Sequence, residues 1–264
     1  MRLENKTAIV VGGGQQPGES IGNGRATAVL FAREGASVAV VDKDIERAQD
    51  TVDVILDEGG KAFAFRADVT SETSLETMVK DAHNILGRVD ILHNNVGWSL
   101  AGGDSIIENI TEENFDNVTN VNLRGMVMTC KHVLPIMRRQ KAGSIVSISS
   151  MAAIESYPYV AYKTSKSGVI AMTEQLAYMN FEYNIRANAI LPGLMHTAMA
   201  IDTRITAEKT REQVIAERDA KVPLGKMGNA WDVAYCALFL ASEEAKFITG
   251  VAIPVDGGAS VRRG

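Results

Sequence analysis

The sequence has little of what marks a secreted, membrane-spanning or nucleic-acid-binding protein. Its 264 residues contain only two cysteines, Cys130 and Cys236, which lie far apart and outside metal-ligand spacing, so that we expect a reducing compartment and no disulfide framework. No long apolar run occurs, and the charged start MRLENKTAIV predicts neither a secretory signal nor a membrane span. Acidic residues outnumber basic ones, 32 to 27, and the net charge of −5 disfavours nucleic acid and anionic membranes as partners. We therefore expect a cytoplasmic protein that acts on small molecules.

Histidine is equally scarce. The four histidines do not stand at metal-ligand spacing, and no metal site is predicted. His93 ends an apolar segment that is predicted to be a buried strand, so packing or capping is its expected role.

What the sequence does contain is a regular alternation of apolar and amphipathic segments. Strands are predicted at 7–11, 37–41, 62–65, 91–93, 144–148, 185–191 and 251–255, and helices at 25–34, 45–58, 74–86, 113–134, 159–181 and 232–241. Such alternation predicts an α/β fold with a doubly wound, mostly parallel sheet of the Rossmann type. Neither a repeat nor a linker interrupts it. A single domain is expected over residues 1–264, with a polar lid segment at about 197–228.

The first predicted strand ends in a glycine-rich loop. Gly12-Gly13-Gly14 follows the strand, and Gly22-Asn23-Gly24 opens the next helix. Glycines allow the backbone to approach a pyrophosphate, whose charge is favoured at a helix N-terminus. Asp42 ends the second strand, where a carboxylate can bond both ribose hydroxyls of NAD and would repel the 2′-phosphate of NADP. The loop predicts dinucleotide binding, and Asp42 favours NAD, although Lys43 beside it and a helix-capping role for Asp42 keep the alternatives open.

A tyrosine and a lysine four residues apart, Tyr162 and Lys166, follow the fifth strand. On a helix they share one face, one turn apart, where a cation can bring a phenol into a useful range for proton transfer. Ser150, a short loop upstream, could hold a substrate oxygen beside the phenol. A tyrosine and a lysine four residues apart also occur by chance. The pair indicates catalysis here only because the glycine-rich loop predicts a bound dinucleotide.

Further motifs occur in the same order along the chain: Asp68-Val69, Asn94-Asn95-Val96-Gly97, Asn120-Val121-Asn122, Ile148-Ser149-Ser150, Pro192-Gly193 with Thr197, and Asp256-Gly257-Gly258. With these motifs the chain resembles the short-chain dehydrogenase/reductase family, in its compact single-domain branch, over nearly its whole length. The resemblance implies a nicotinamide-dependent oxidoreductase that transfers a hydride to or from a secondary alcohol or ketone.

The resemblance also implies roles for individual residues. Tyr162 would be the general acid/base, Lys166 would lower its pKa and bond the nicotinamide ribose, and Asn122 would hold a water that relays protons. Ser150 would position the reacting oxygen, with Ser149 as the alternative. The residues implied to bind the cofactor are Gly12, Ser20, Ile21, Gly22, Gly24, Asp42, Asp68, Val69, Asn94, Val96, Gly97, Tyr162, Lys166, Pro192, Gly193 and Thr197.

The glycine-rich loop departs from the family pattern. Gly12 and Gly22 are ten positions apart instead of four, and the extra residues include Gln15–Glu19. The longer loop is similar to that of enoyl-thioester reductases in the same superfamily, which place a tyrosine seven residues before the lysine, where Tyr159 stands. Reduction of a carbon–carbon double bond is therefore one alternative. A regulator that binds NAD without chemistry is another, although such proteins tend to lack the Tyr/Lys pair.

The predicted helices at 113–134 and 159–181 are apolar on more than one face. The residues concerned are Val127, Met128, Val133, Val169, Ile170, Met172 and Leu176. A helix that is apolar all round must bury its outer face as well. Because members of the family commonly pair these helices, a homotetramer is expected, with a dimer next.

Overall fold

The structure, a computed structural model, describes residues 1–15 and 17–262. The strands are β1 Thr7–Val11, β2 Ser37–Asp42, β3 Lys61–Arg66, β4 Ile91–Asn94, β5 Gly143–Ile148, β6 Ile185–Pro192 and β7 Ala252–Val255. The helices are α1 Asn23–Arg33, α2 Ile45–Asp57, α3 Glu72–Leu86, α4 Glu112–Thr119, α5 Gly125–Gln140, α6 Val160–Asn180, α7 Ala198–Ile201, α8 Arg211–Asp219 and α9 Ala230–Ala241. Every predicted strand is present within a few residues of its expected bounds, and so is every predicted helix except the one at 113–134.

The seven strands form one sheet in the order β3-β2-β1-β4-β5-β6-β7. Each described pairing is parallel. The order reverses between β1 and β4, and in such sheets ligands bind beyond the carboxyl ends of the strands at this switch point. The predicted α/β class with a doubly wound sheet is confirmed.

Helices cover both faces of the sheet because alternate side chains of each strand enter opposite layers. Val10 packs in a core with α1, α2 and α9, whereas Ile9 and Val11 pack in a second core with α3 and α5. β1 is buried along its whole length, which explains its continuous apolar sequence TAIVV. The two cores fix the strand ends that carry the cleft described below.

The predicted helix at 113–134 has a more complex form. A π-helical turn, Asn120–Arg124, joins α4 to α5, and α5 continues through Pro135 to Gln140. Tertiary contacts override the proline, because Met137 is fully buried and the Gln140 side chain exchanges two hydrogen bonds with the backbone of Val89, at 2.8 and 2.9 Å. Single π-helical turns are frequent at functional sites.

The polar segment at 197–228 is an excursion whose ends meet. Met195 and Gly228 form a parallel bridge, and the backbone amide of His196 donates to the Gly228 carbonyl at 2.7 Å. The segment is not one continuous helix. It contains two short helices, α7 and α8, separated by a turn and a loop.

The outward faces of α5 and α6 are only partly as expected. Val133 and Val169 are fully buried within this one chain, so they present no surface to a partner. Val127 is 37% exposed, and Tyr178 and Phe181 near the end of α6 are 71% and 61% exposed. None of the described helices has the length and apolarity that crossing a membrane requires.

Candidate active site

A cleft of about 820 Å³ lies beyond the carboxyl ends of the strands. The predicted residues that line it are Gly12, Ser20, Gly22, Gly24, Asp42, Asp68, Val69, Val96, Gly97, Ser150, Tyr162, Lys166, Pro192, Gly193 and Thr197. Three predicted site residues do not line it: Ile21, Asn94 and Asn122. The Ile21 side chain packs against the core that contains α1 instead.

The glycine-rich loop has the geometry that a dinucleotide requires. Gly12 has a φ of +80°, and a Cβ on Gly24 would lie 1.9 Å from the Gly12 carbonyl oxygen, so that only glycine allows α1 to approach the loop. Gly22 stands at the N-cap without a side chain, and the first turn of α1 has no acidic residue. Gly22, Asn23 and Gly24 at this helix end line the cleft, and the free amides of a helix N-terminus suit a pyrophosphate. Of the long Gln15–Glu19 loop, Gln16 lies outside the described residues.

Asp42 lies at the predicted ribose end of the cleft. Its Oδ1 accepts a hydrogen bond of 3.1 Å from the Asp44 amide. Burial raises the pKa of the Asp42 carboxyl, while this hydrogen bond and the nearby charge of Arg47 oppose the shift. Arg47, in the first turn of α2, also lines the cleft and was not predicted.

Asn94, which was predicted to bind the cofactor, does not line the cleft. Its side chain is buried in the core, where Nδ2 lies 3.5 Å from Cys130 Sγ and from Ser147 Oγ. Asn95 takes the expected place: it lines the cleft, and its Nδ2 donates to the Gly12 carbonyl at 3.0 Å. Since side chains alternate along a strand, a shift of one residue exchanges the core for the cleft.

Asn122 lies in the π-helical turn and is fully buried. Its Oδ1 accepts from the Trp98 amide at 2.6 Å, and its Nδ2 donates to the Trp98 carbonyl at 2.8 Å and to Ser165 Oγ at 3.0 Å. The side-chain amide therefore holds the loop that follows β4 and has no donor left for a relay water.

The two adjacent serines have different environments. Ser149 is buried, and its hydroxyl donates to the Lys166 carbonyl at 2.7 Å. Both serines line the cleft, but the Ser150 hydroxyl accepts from the Ala152 amide at 3.1 Å and lies near enough to the Tyr162 phenol to oppose the rise in the pKa of that phenol. Of the two hydroxyls, only that of Ser150 is placed beside the phenol.

Tyr162 and Lys166 lie on one face of α6, as predicted. The Lys166 ammonium is 5.8 Å from the centroid of the Tyr162 ring and donates to the Ile148 carbonyl at 2.8 Å. Burial raises the pKa of Tyr162 to about 12 and lowers the pKa of Lys166 to about 7. Burial is the largest cause of both shifts, and the Lys166 charge is not among the main causes of the Tyr162 shift.

Asp104, which was not predicted, holds the start of the tyrosine helix. Its carboxylate accepts from the amides of Ala161 at 3.0 Å and Tyr162 at 2.9 Å, and the Ser105 carbonyl accepts from Val160 at 3.1 Å. The N-cap residue, Tyr159, has no side-chain cap of its own. The loop after β4 therefore satisfies the first three amides of α6.

Three aromatic rings meet at this end of α6. The Tyr157 ring lies 5.5 Å from those of both Tyr159 and Tyr162, and its hydroxyl is 3.2 Å from Ser99 Oγ. Tyr157 and Tyr162 line the cleft and Tyr159 does not. The double-bond alternative, which needs Tyr159 as the reacting phenol, has no support in this geometry.

The histidines contribute no metal site. In the described part of the chain, no group of three or more His, Cys, Asp or Glu side chains is placed to hold a metal ion. His93 is fully buried, its ring 6.1 Å from that of Phe31, and burial lowers its pKa to about 3. Packing, as expected, is its role.

Comparison with known proteins agrees with this geometry. A family model described as "Enoyl-(Acyl carrier protein) reductase" matches residues 18–260. The chain is 37% identical to the 3-oxoacyl-[acyl-carrier-protein] reductase FabG of Thermotoga maritima, over 98% of this chain and 99% of that protein. It belongs to the short-chain dehydrogenase/reductase family.

Two further relatives show the same fold and chemistry. The chain is 32% identical to levodione reductase of Leifsonia aquatica, over 98% of this chain and 96% of that protein. A crystal structure of levodione reductase superposes with a TM-score of 0.92 at 30% identity, covering 99% of this chain and 100% of that one. A 7α-hydroxysteroid dehydrogenase, solved with NADH and 7-oxo glycochenodeoxycholic acid, superposes with a TM-score of 0.87 at 34% identity. The match covers 97% of this chain and 95% of that one. This family member is therefore an NAD(P)-dependent oxidoreductase that interconverts alcohols and ketones.

Proposed function

We propose that the protein is an NAD-dependent dehydrogenase/reductase of secondary alcohols and ketones in which Tyr162 is the general acid/base. The observation that carries the proposal is that Ser150, Tyr162 and Lys166 line one cleft, with the Ser150 hydroxyl beside the Tyr162 phenol and Lys166 one helical turn away. A substrate oxygen placed between the two hydroxyls would receive one hydrogen bond from each.

The nicotinamide, when bound, supplies the hydride acceptor or donor. In the reductive direction, the Tyr162 hydroxyl gives its proton to the oxygen of the ketone as that oxygen gains negative charge. In the oxidative direction, the phenolate takes the proton of the alcohol. A pKa of about 12 keeps the phenol protonated at neutral pH, which suits the reductive direction. Ser150 holds the reacting oxygen in both directions.

Lys166 supports this proton transfer by its position. Its ammonium is directed by the Ile148 carbonyl, and a Cβ on Gly97 would lie 2.9 Å from Nζ, so that Gly97 leaves room for the lysine at the cleft wall. A positive charge there stabilises the phenolate when it forms. The Asn122 side chain is already hydrogen-bonded to Trp98 and Ser165, so we assign any relay water to the backbone of the π-helical turn. In such a turn the i→i+5 hydrogen bonds replace the usual i→i+4 hydrogen bonds of the backbone carbonyls.

For the cofactor we propose NAD, with NADP as the less favoured partner. The Asp42 carboxylate would accept hydrogen bonds from ribose hydroxyls and repel a 2′-phosphate. Lys43 and Arg47, which also line the cleft, act in the opposite direction. The NADH in the steroid dehydrogenase complex supports NAD as well.

We further propose that segment 197–228 acts as a lid over the cleft, that the protein is a cytoplasmic homotetramer, and that the outer faces of α5 and α6 pair in it. The lid proposal is supported by Thr197, Met199 and Arg204 of the segment, which line the cleft. Light scattering at micromolar protein tests the assembly, and a monomer would contradict it.

The test of the function is a screen of secondary alcohols with NAD and NADP and of ketones with NADH and NADPH. We expect carbonyl turnover that requires Tyr162, with no reduction of isolated carbon–carbon double bonds. Turnover of enoyl thioesters in preference to every ketone would contradict the proposal.

A further inference from the structure

Two arginines line the cleft without a carboxylate partner. Arg204 ends the turn after α7, and Arg218 lies in the last turn of α8. Across residues 1–15 and 17–262, neither guanidinium is within ion-pair distance of a carboxylate. Arg211, on the same helix as Arg218, does pair with Asp202. The segment therefore neutralises Arg211, which does not line the cleft, and leaves the two arginines that do.

Arg204 is held by hydrogen bonds, and Arg218 is partly desolvated. Arg204 Nη1 donates to the Ala200 carbonyl at 2.9 Å and to Thr203 Oγ1 at 3.2 Å, which fixes the guanidinium plane. Arg218 Nε is buried, and the described residues give it no hydrogen-bond partner. Burial, and then the charge of Arg204, lower the pKa of Arg218 to about 10. A buried N–H of a cation without an acceptor is costly, and an anion would relieve that cost.

The pair stands on the phenol side of the cleft. The charge of Arg204 opposes the rise that burial causes in the pKa values of Tyr157 and Tyr162. Tyr157 likewise opposes the fall that burial causes in the pKa of Arg218. The acids that face the adenosine end, Asp42 and Asp68, do not pair with either arginine. The arginines thus face the substrate and not the ribose.

Other charged groups near the pair do not cancel it. Glu155 lines the cleft but lies beyond ion-pair distance of both guanidinium groups, and the Asp104 carboxylate is engaged by the amides at the start of α6. Lys163 donates to the carbonyls of Ala152 and Glu155, away from the arginines.

We propose that Arg204 and Arg218 bind an oxyanion of the substrate, so that the enzyme acts on ketones and secondary alcohols carrying a carboxylate, sulfonate or phosphate at a distance from the reacting carbon. A guanidinium presents paired donors that match the oxygens of such a group. Met151 and Met199 line the same cleft and suit an apolar chain between the anion and the carbonyl. This inference rests on the proposed carbonyl chemistry of Tyr162.

The first test compares oxo acids of increasing length, from 4-oxopentanoate to 7-oxooctanoate, with their methyl esters in the presence of NADH. For at least one length we expect the acid to exceed its ester in kcat/KM by roughly 10- to 100-fold, since the ester lacks the charge. Oxoalkyl sulfonates and phosphates of the same lengths identify which oxyanion is preferred. Equal or better turnover of the uncharged ester at every length, with none of the three oxyanions preferred, overturns the proposal.

The second test removes one guanidinium. Arg218→Met should raise KM for the preferred anion by roughly 10- to 100-fold and leave the ester and the affinity for NADH nearly unchanged. Arg218→Lys should retain part of the preference. Lys221→Met, which takes a charge from an exposed residue just after α8 that does not line the cleft, is the matched control. Equal losses for acid and ester at wild-type Tm, or a loss of NADH affinity alone, overturn the proposal. Arg204→Met decides by the same criteria if Arg218→Met does not fold.

A binding measurement separates this inference from the catalytic proposal. Calorimetric titration of Tyr162→Phe with NADH and each oxo acid needs no turnover. The oxyanion site is supported if Tyr162→Phe binds an acid but not its ester and if Tyr162→Phe/Arg218→Met has lost that binding. This result would stand even if the wild-type enzyme reduces no ketone. Absence of acid binding, alongside active ketone reduction by the wild type, overturns the site alone.

Discussion

The carboxylate of Asp104 accepts a hydrogen bond of 2.9 Å from the backbone amide of Tyr162, although the two residues are 58 positions apart. The same carboxylate accepts from Ala161, so that it fills the place of an N-cap side chain for α6. The loop that carries Asp104 also borders the cleft through Gly97, Trp98 and Ser99. The Asp104 loop therefore holds the start of α6, and with it the Tyr162 phenol, in a fixed position relative to the wall of the cleft.

Asp104→Ala should consequently lower both stability and kcat. Loss of an N-cap costs about 0.5–2 kcal/mol of unfolding free energy, and a displaced phenol should reduce kcat by roughly tenfold or more. Asp104→Asn, which keeps one acceptor oxygen, should recover part of each. Thr111→Ala, which removes the hydroxyl that caps α4, is the control: it should lose stability but little kcat. Wild-type kcat in Asp104→Ala would show that the carboxylate does not position the phenol.

Tyr162→Phe should reduce turnover by roughly 100- to 10,000-fold, because it removes the proton and keeps the ring. Affinity for NAD, measured by fluorescence or calorimetry, should remain near that of the wild type. Tyr159→Phe is the matched control, since Tyr159 lies 5.5 Å from the same Tyr157 ring but outside the cleft. A large loss in Tyr159→Phe with turnover retained in Tyr162→Phe would reverse the assignment.

Lys166 should make the stability of the cofactor-free protein depend on pH. Its pKa falls from 10.5 to about 7 on folding, so between these values the unfolded chain holds a proton that the folded chain has released. Unfolding free energy therefore rises with pH across this window, by up to about 1.4 kcal/mol per pH unit. Below pH 7 Lys166 is protonated in both the folded and the unfolded state. The destabilisation caused by burying its charge is then at its full value and no longer changes with pH.

Urea unfolding of wild type and Lys166→Met from pH 6 to pH 10 measures this effect. Lys166→Met should be more stable than wild type near pH 6, and its advantage should shrink as pH rises. Lys80→Met, an exposed lysine on α3, should follow the wild-type curve. Parallel curves for wild type and Lys166→Met would mean that the ammonium is not desolvated in the folded protein.

The sequence predicted the site residues at strand and helix ends better than it predicted which side chains face the cleft. Gly12, Gly24 and Asp42 stand at strand or helix ends, where local pattern and chemistry agree, and all three line the cleft. The exchange of Asn94 for Asn95 is an error of one residue, which alternation along a strand turns into the opposite face. Strand ends are therefore predictable to a residue or two, and side-chain direction is not.

Long-range contacts explain what pattern reading missed. Asp104 caps a helix 58 positions away, and no local motif signals such a contact. Arg204 and Arg218 belong to the polar segment at 197–228, and the sequence pattern does not show which of its charged side chains face solvent. Only the bridge between Met195 and Gly228, which returns the segment to the sheet, places these two side chains over the cleft.

Cofactor choice gives the last prediction. The Asp42 carboxylate should accept ribose hydroxyl hydrogen bonds worth roughly 1.5–3 kcal/mol each, so Asp42→Ala should lower NAD efficiency at least tenfold. A 2′-phosphate, with about −1.5 to −2 charges, would no longer meet the carboxylate, and NADP efficiency should hold or rise. The ratio of the two efficiencies is the measurement, because a general loss of folding lowers both.

Arg47 sharpens this test because it lies beside Asp42 and lines the cleft. Once the carboxylate is gone, Arg47 is the side chain placed to pair with a 2′-phosphate, so Asp42→Ala/Arg47→Met should lose the gain in NADP efficiency. Asp50→Ala, an exposed acid of α2 outside the cleft, should leave the ratio unchanged. A wild-type enzyme that already uses NADP as well as NAD, and loses this use in Arg47→Met, would make Arg47 the residue that selects the cofactor and would overturn the assignment of Asp42.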